Sequence, residues 1–236
     1  MGKPNPIRAV LFDLDGTLLD SNMEAFLPRY FKALSTCVAH LVEAERFIEC
    51  LLQATQAMLE NDGQDTNEEV FARAFYPKIG RSRETLEPVF ERFYEREYPK
   101  LGHLTCRKPE ARRVVGSAFA LGHQVVIATN PLFPAKAITC RLGWAGIEDY
   151  PYSLVTSFEN SRACKPNLRY FADIIDRLGL RAEACLVVGN EDLDMVAARL
   201  GCPTFLVTDH AAALGPQIPE PTYRGTLLDL EKMLQA

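Results

Sequence analysis

No run of apolar residues in this 236-residue chain is long enough to span a bilayer; the best stretch is broken by His123 and Gln124. Nor is there an excess of positive charge. Lys and Arg number 26 against 31 Asp and Glu, scattered along the chain, for a net charge of −5 and a pI of about 5.5. That balance excludes the basic footprint of a nucleic-acid binder. The opening Met1-Gly-Lys-Pro-Asn-Pro6 lacks the apolar core and small cleavage residues of a secretory signal. Pro6 also stands where a myristoylation signal carries Ser or Thr. None of the seven cysteines forms a Cys-x-x-Cys pair, their number is odd, and Cys37, Cys50, Cys140 and Cys185 fall at apolar positions of periodic segments. They read as small buried hydrophobes. Cys164 differs, because Lys165 beside it could lower its thiol pKa, although a redox role is not expected. Internal repeats and low-complexity tracts are absent. A cytoplasmic protein without nucleic-acid or membrane partners is expected; the oligomeric state is not legible.

What is present is an ordinary globular composition, 47% hydrophobic and 24% charged, on a chain long enough for one large domain or one domain with a smaller insertion. From residue 109 onward a simple grammar repeats. Helical spacing over 109–121 stops at Gly122, and Gln124–Ala128 reads as a buried strand. A helix over 134–142 stops at Gly143, and Tyr152–Thr156 follows. Leu168–Leu178 stops at Gly179 before Ala184–Val188, and Asp192–Leu200 stops at Gly201 before Pro203–Val207. Helices closed by glycine and followed by short apolar runs predict αβ units around a parallel sheet with helices on both faces. Ile7–Asp13 is a further strand of this kind. The expected fold class is α/β, a three-layer Rossmann-like parallel sheet.

Between the first strand and residue 109 the pattern changes. Met23–Val42 is amphipathic, with Pro28 tolerated near its start. A second helix spans about 43–60 and stops at Asn61-Asp-Gly63. Thr66-Asn-Glu-Glu69 is a capping box for a third, expected to end before Pro77, and a fourth runs from about Glu84 to Tyr98. With no strand signal here, residues 21–103 are expected to form a smaller all-helical cap domain, leaving 1–20 and 104–236 as the core.

Ligands of open parallel sheets sit at the carboxyl ends of the strands. Those ends carry Asp13-Leu-Asp15-Gly-Thr17, then Thr129-Asn130, then Cys164-Lys165-Pro166, then Gly189-Asn190-Glu191-Asp192-Leu193-Asp194. Singly each is weak. An Asp-x-Asp-Gly can cap a turn, Thr and Asn are common at strand exits, a lone lysine is usually a solvated surface residue, and an acidic run suits the first turn of a helix. Together at one rim, two carboxylates, a hydroxyl, a lysine and an acidic cluster suit phosphoryl transfer.

In that order and approximate spacing the four segments resemble the motifs of the haloacid dehalogenase superfamily, and the helical insertion falls where that superfamily places a cap. The segments Thr129–Pro134 and Glu159–Asn167 resemble a phosphatase-like branch. The resemblance implies a Mg²⁺-dependent phosphatase acting on a small phosphorylated metabolite. In that scheme Asp13 is the nucleophile and forms an aspartyl-phosphate, Asp15 is the general acid and base, Thr129 and Asn130 bind phosphate oxygens, and Lys165 offsets charge. The metal ligands are expected among Asp13, Asp15, Asn190, Glu191 and Asp194.

At the fourth motif the superfamily usually carries Gly-Asp-x-x-x-Asp, whereas this chain has Asn190 in place of the first acid. Either the Asn190 amide or the neighbouring Glu191 then fills the position. Basic cap residues such as Arg29, Lys78, Arg81 and Arg83 could meet a second anionic group, although a solvated face is the ordinary role for such residues. A sugar-phosphate phosphomutase and a non-catalytic binding or regulatory protein of the same fold are the alternative functions. A dehalogenase is disfavoured, because those relatives lack an acid two residues after the nucleophile.

Overall fold

The computed structural model describes residues 7–209 and 214–235; Met1–Pro6, on which the signal readings rest, lie outside the described residues. Strand β1 (Ala9–Phe12) and a short β2 (Leu19–Ser21) precede four helices, α1 (Met23–Val38), α2 (Ala44–Leu59), α3 (Asn67–Ile79) and α4 (Arg83–Arg96). A 3₁₀ segment, Tyr98–Leu104, leads into β3 (Thr105–Arg107). The remainder runs α5 (Pro109–Ala120), β4 (Gln124–Ile127), α6 (Ala135–Ala145), β5 (Leu154–Val155), α7 (Leu168–Leu178), β6 (Cys185–Gly189), α8 (Asp192–Met195), β7 (Thr204–Val207), β8 (Tyr223–Gly225) and α9 (Leu227–Gln235).

Six strands form one sheet in the order β5-β4-β1-β6-β7-β8, all parallel. Successive side chains of a strand point to opposite faces, and here both faces are apolar. Val10, Phe12, Val125, Ile127, Leu186 and Val188 pack with α5, α6 and α9. Ala9, Leu11, Val126, Ala128, Cys185 and Val187 pack with α7 and the residues after α8. This is the three-layer α/β arrangement expected of strands that are continuously hydrophobic. Among the described residues no helix is long and apolar enough to cross a membrane.

The four helices between β2 and β3 build their own apolar cluster around Phe26, Tyr30, Phe47, Phe75, Phe93 and Tyr98, which Ala137, Phe133 and Trp144 join from the sheet side. The absence of strands expected here needs correction. β2 and β3 pair antiparallel, Leu19 opposite Arg107, and tie the two ends of the helical segment together; three-residue strands are too short to show a period. Helix α1 ends at Val38 rather than Val42. Helix α3 continues through Pro77 to Ile79, because the extra turn buries Ile79 and Gly80 then closes it at φ +68°. Helix α6 likewise passes Gly143 and stops at Gly146, φ +67°, which lets Ala145 enter the core. The single helix expected over 192–200 is one α-turn followed by 3₁₀ residues Val196–Leu200.

Candidate active site

β1 is the centre of the sheet, and its neighbours lead away on opposite sides. The chain beyond it therefore opens into a crevice at the switch point. The register sets Phe12 beside both Ile127 and Val188, so Asp13 emerges level with Ala128 and Gly189. Its backbone N–H still donates to the Val188 carbonyl at 2.8 Å. The turn that follows is compact: Leu18 and Leu19 both donate to the Leu14 carbonyl at 2.9 Å, and Gly16 donates to Leu19 at 2.7 Å. Gly16 has φ +83°, and a Cβ there would lie 2.6 Å from the Asn190 amide nitrogen, so both backbone angle and space require glycine.

Lys165, 3% exposed, joins two carboxylates that lie far apart in sequence. Its Nζ donates to Asp13 Oδ1 at 2.8 Å and to Asp194 Oδ1 at 2.6 Å. Asp194 reaches it because Gly189 has no side chain: a Cβ at Gly189 would fall 2.1 Å from the Asp194 carboxyl carbon. The Lys165 backbone N–H donates to Asn130 Oδ1 at 3.1 Å, which fixes the loop that carries it. Burial works against the Lys165 ammonium, but Asp13 and Asp194 outweigh it and hold its pKa above the lysine range. Burial pushes Asp13 up to about 7, with Lys165 opposing and Asp194 reinforcing the shift. Two carboxylates share one ammonium, and for Asp13 the cost of burial exceeds what Lys165 returns.

The Asp15 carboxylate is turned elsewhere. Ser21 Oγ donates to its Oδ1 at 3.0 Å, and Arg141 Nη1 to its Oδ2 at 2.7 Å. Arg141 is itself buried, donates through Nε to the Tyr98 hydroxyl at 2.8 Å, and lies 4.1 Å from the Phe133 ring centroid. Thr17 donates to Asn190 Oδ1 at 2.9 Å, and Lys108 Nζ to the Gly16 carbonyl at 3.0 Å. Sequence reading missed Arg141, Tyr98 and Lys108, and gave no role to Ser21 although it closes the first motif segment Asp13–Ser21. Of the three, only Lys108, a lysine at a strand exit, left a local signal.

Thr129 is buried at the end of β4, and its carbonyl accepts from Thr156 and Tyr170 hydroxyls, each at 2.8 Å. Among the described residues nothing bonds the Thr129 hydroxyl. Glu191 is exposed, and its backbone N–H donates to Asp194 Oδ2 at 3.4 Å. Lys165 thus brings together Asp13, Asp194 and Asn130, with Thr129 and Asn190 at neighbouring strand ends, while the Asp15 carboxylate faces Arg141 and Glu191 is exposed. Among the described residues no three His, Cys, Asp or Glu side chains are grouped to hold a metal ion. Of the basic residues singled out in the helical segment, three are engaged within it: Arg83 with Glu68 and Glu87, Arg81 with the Leu41 carbonyl and Lys78 with Gln53. Arg29 is exposed. Burial pushes the Cys164 thiol up to about 12. Lys165 does not lower it, because its ammonium is spent on Asp13 and Asp194. A cavity of about 370 Å³, lined by Tyr30, Phe31, Phe71, Phe90 and Phe133 among others, is not lined by Asp13, Asp15, Glu191 or Asp194.

A carboxylate at the end of the central strand, a buried lysine between it and a second acid, and a further acid two residues on are set in a hydrolase-like crevice. The phosphoglycolate phosphatase of Xanthomonas campestris is 28% identical over 199 residues, 81% of this chain and 78% of its own. A haloacid dehalogenase-superfamily (HAD) phosphatase from Thermococcus onnurineus superposes with a TM-score of 0.60 at 20% identity, over 97% of this chain and 98% of its own. The L-2-haloacid dehalogenase of Xanthobacter autotrophicus does so with 0.59 at 16% identity, over 98% and 99%. These two structures share the fold and span both dehalogenase and phosphatase names. Residues 7–201 match the family of haloacid dehalogenase-like hydrolases, and the chain belongs to that family.

Proposed function

We propose that the chain is a Mg²⁺-dependent phosphatase that hydrolyses a small phosphomonoester through Asp13, with residues 21–103 as a cap over the core 1–20 and 104–236. The observation that carries this reading is Lys165 held between Asp13 and Asp194 at the rim of the sheet. A carboxylate nucleophile must approach an anionic phosphate, and a fixed, buried ammonium lowers that repulsion. Burial is what raises Asp13 most, and when ionised the Asp13–Lys165–Asp194 cluster keeps one negative charge in surplus. A divalent cation would cancel it, so the donor chemistry fits the ion that the family resemblance implies. The Asp13 carboxylate, the Asp15 backbone carbonyl and the side-chain oxygen of Asn190 would hold it. Asn190 Oδ1 keeps a lone pair beyond the one that Thr17 occupies. When bound, Mg²⁺ supplies positive charge between phosphate and nucleophile. Asp194 serves by orienting Lys165.

In the first step an Asp13 oxygen bonds to phosphorus in line with the leaving group. The bond from phosphorus to the leaving oxygen breaks, and that oxygen takes a proton from Asp15. In the second step a water oxygen attacks the aspartyl-phosphate and gives a proton to the Asp15 carboxylate. The Asp13–phosphorus bond breaks and inorganic phosphate leaves. The Thr129 hydroxyl and backbone amides near Asn130 receive the transferring oxygens, while Lys165 balances charge on Asp13 throughout. Asp15, an acid two residues after the nucleophile, favours this reading over a dehalogenase.

The test is turnover of p-nitrophenyl phosphate and of a panel of phosphorylated metabolites headed by phosphoglycolate, with and without Mg²⁺. Wild type should turn over only with the metal, and Asp13→Asn should lose about 10³-fold or more while still folded. Substantial activity in a folded Asp13→Asn variant would sink the mechanism. Magnesium titration locates the third ligand: Asn190→Asp should lower the metal needed for half-maximal rate, and Glu191→Ala should leave it nearly unchanged. The opposite pattern would assign the ligand to Glu191.

A further inference from the structure

Arg141 is a buried cation, 2% exposed, on a helix that carries none of the family motifs. Its carboxylate partner is Asp15. The guanidinium is packed by Phe133 at 4.1 Å and Phe26 at 5.3 Å, and its Nε is held by the Tyr98 hydroxyl. The remaining nitrogen, Nη2, is buried without a hydrogen-bond partner among the described residues. As a purely structural tie this is a poor choice. An apolar side chain of the same length would fill the aromatic pocket without desolvating a charge or leaving a donor unpaired. What the arginine does that a methionine could not is grip one oxygen of Asp15 in a fixed direction, while Ser21 grips the other at 3.0 Å. Each oxygen keeps a lone pair free for a proton in transit.

We infer that Arg141 is a positioning residue that fixes the Asp15 carboxylate for its two proton transfers, and that Tyr98, from the helical segment, fixes Arg141 in turn. This rests on the phosphatase reading. Phe26 and Tyr98 belong to the helical segment and Phe133 to the loop after Thr129-Asn130, so Arg141 links the packing of that segment to the acid. The packing of the segment against α6 then bears on the orientation of Asp15 through Arg141.

The test compares Arg141→Met, Arg141→Lys and Tyr98→Phe with wild type, on an alkyl phosphomonoester from the metabolite panel and on p-nitrophenyl phosphate, in saturating Mg²⁺. The alkyl leaving group needs a proton and p-nitrophenolate does not. Arg141→Met should lower kcat on the alkyl ester by about 10²-fold or more, with KM within about threefold. On p-nitrophenyl phosphate it should show a burst of close to one nitrophenol per active site, followed by slow turnover, because only the second step then needs Asp15. Arg141→Lys should recover part of kcat, and Tyr98→Phe should show the same leaving-group bias in weaker form. A folded Arg141→Met that loses equally on both substrates with no burst, or that raises KM and spares kcat, would overturn the inference. Should Arg141→Met not fold, the bias in Tyr98→Phe decides, and its absence overturns the inference equally. A wild type inactive on every phosphate ester would remove the phosphatase reading itself and this inference with it. An active wild type beside indifferent Arg141 variants removes only this inference.

Discussion

Asp13 lies in a pocket where burial and Asp194 both oppose its ionisation, and Lys165 alone favours it. Its pKa, raised from 3.8 to about 7, makes this a stability statement as well as a chemical one. The folded protein binds the Asp13 proton more tightly than the unfolded chain does. The resulting stabilisation is therefore complete below about pH 4 and is lost as pH rises through about 7. Asp13→Asn removes the titration. In metal-free buffer at pH 8 this variant should be more stable than wild type by something on the order of 2 kcal/mol, and the gap should shrink by pH 5.5. Thermal melts of both proteins at the two pH values check this; a gap that stays constant would place the surplus charge elsewhere. Asp13, Lys165 and Asp194 could be named from sequence because their segments, weak singly, together follow the order and approximate spacing of the family's motifs. Arg141 was not legible. It sits 126 residues from Asp15 inside a helix whose pattern reads as ordinary, and only the packing of Phe26, Tyr98 and Phe133 around it selects its partner.

At the scale of elements, β6 and the turn after it show how little space the site leaves. Gly189 ends the strand, and the Asp194 carboxylate lies where a side chain would be. Gly189→Ala should force Asp194 off Lys165, costing about 2 kcal/mol or more and lowering activity at least tenfold. Urea titration and kinetics on one preparation test this, and an alanine variant of native stability would show that the turn can yield. Element types were readable where periodicity ran long, as in α1, α2, α5 and α7. Ends were read less well, because burial decides them: Ile79 and Ala145 draw α3 and α6 past the proline and glycine expected to stop them. The three-residue partners β2 and β3 were missed, since their pairing is a contact between positions 19–21 and 105–107 that no local window contains.

In the whole molecule, the helical segment and the sheet do not meet as two finished surfaces. Phe133, Ala137 and Trp144 belong to the sheet side yet complete the helical cluster, and Asn67 of α3 donates to the Pro131 carbonyl at 3.1 Å. Deleting residues 22–100 would uncover this apolar surface of α6, so the truncated chain should aggregate or bind a hydrophobic dye strongly where the full chain does not. A soluble, dye-silent truncation would mean that α6 can cover itself. The short apolar runs and the glycine-closed helices were enough by themselves to determine a parallel sheet, with acids at the ends of its strands. Burying both faces of such strands admits few other arrangements, and the crevice follows from the strand order. The tertiary structure alone decided which charges meet. Lys165 pairs with Asp13 and Asp194, and Arg141 with Asp15, because partners across a fold are chosen by packing and desolvation, and neither leaves a period in the chain.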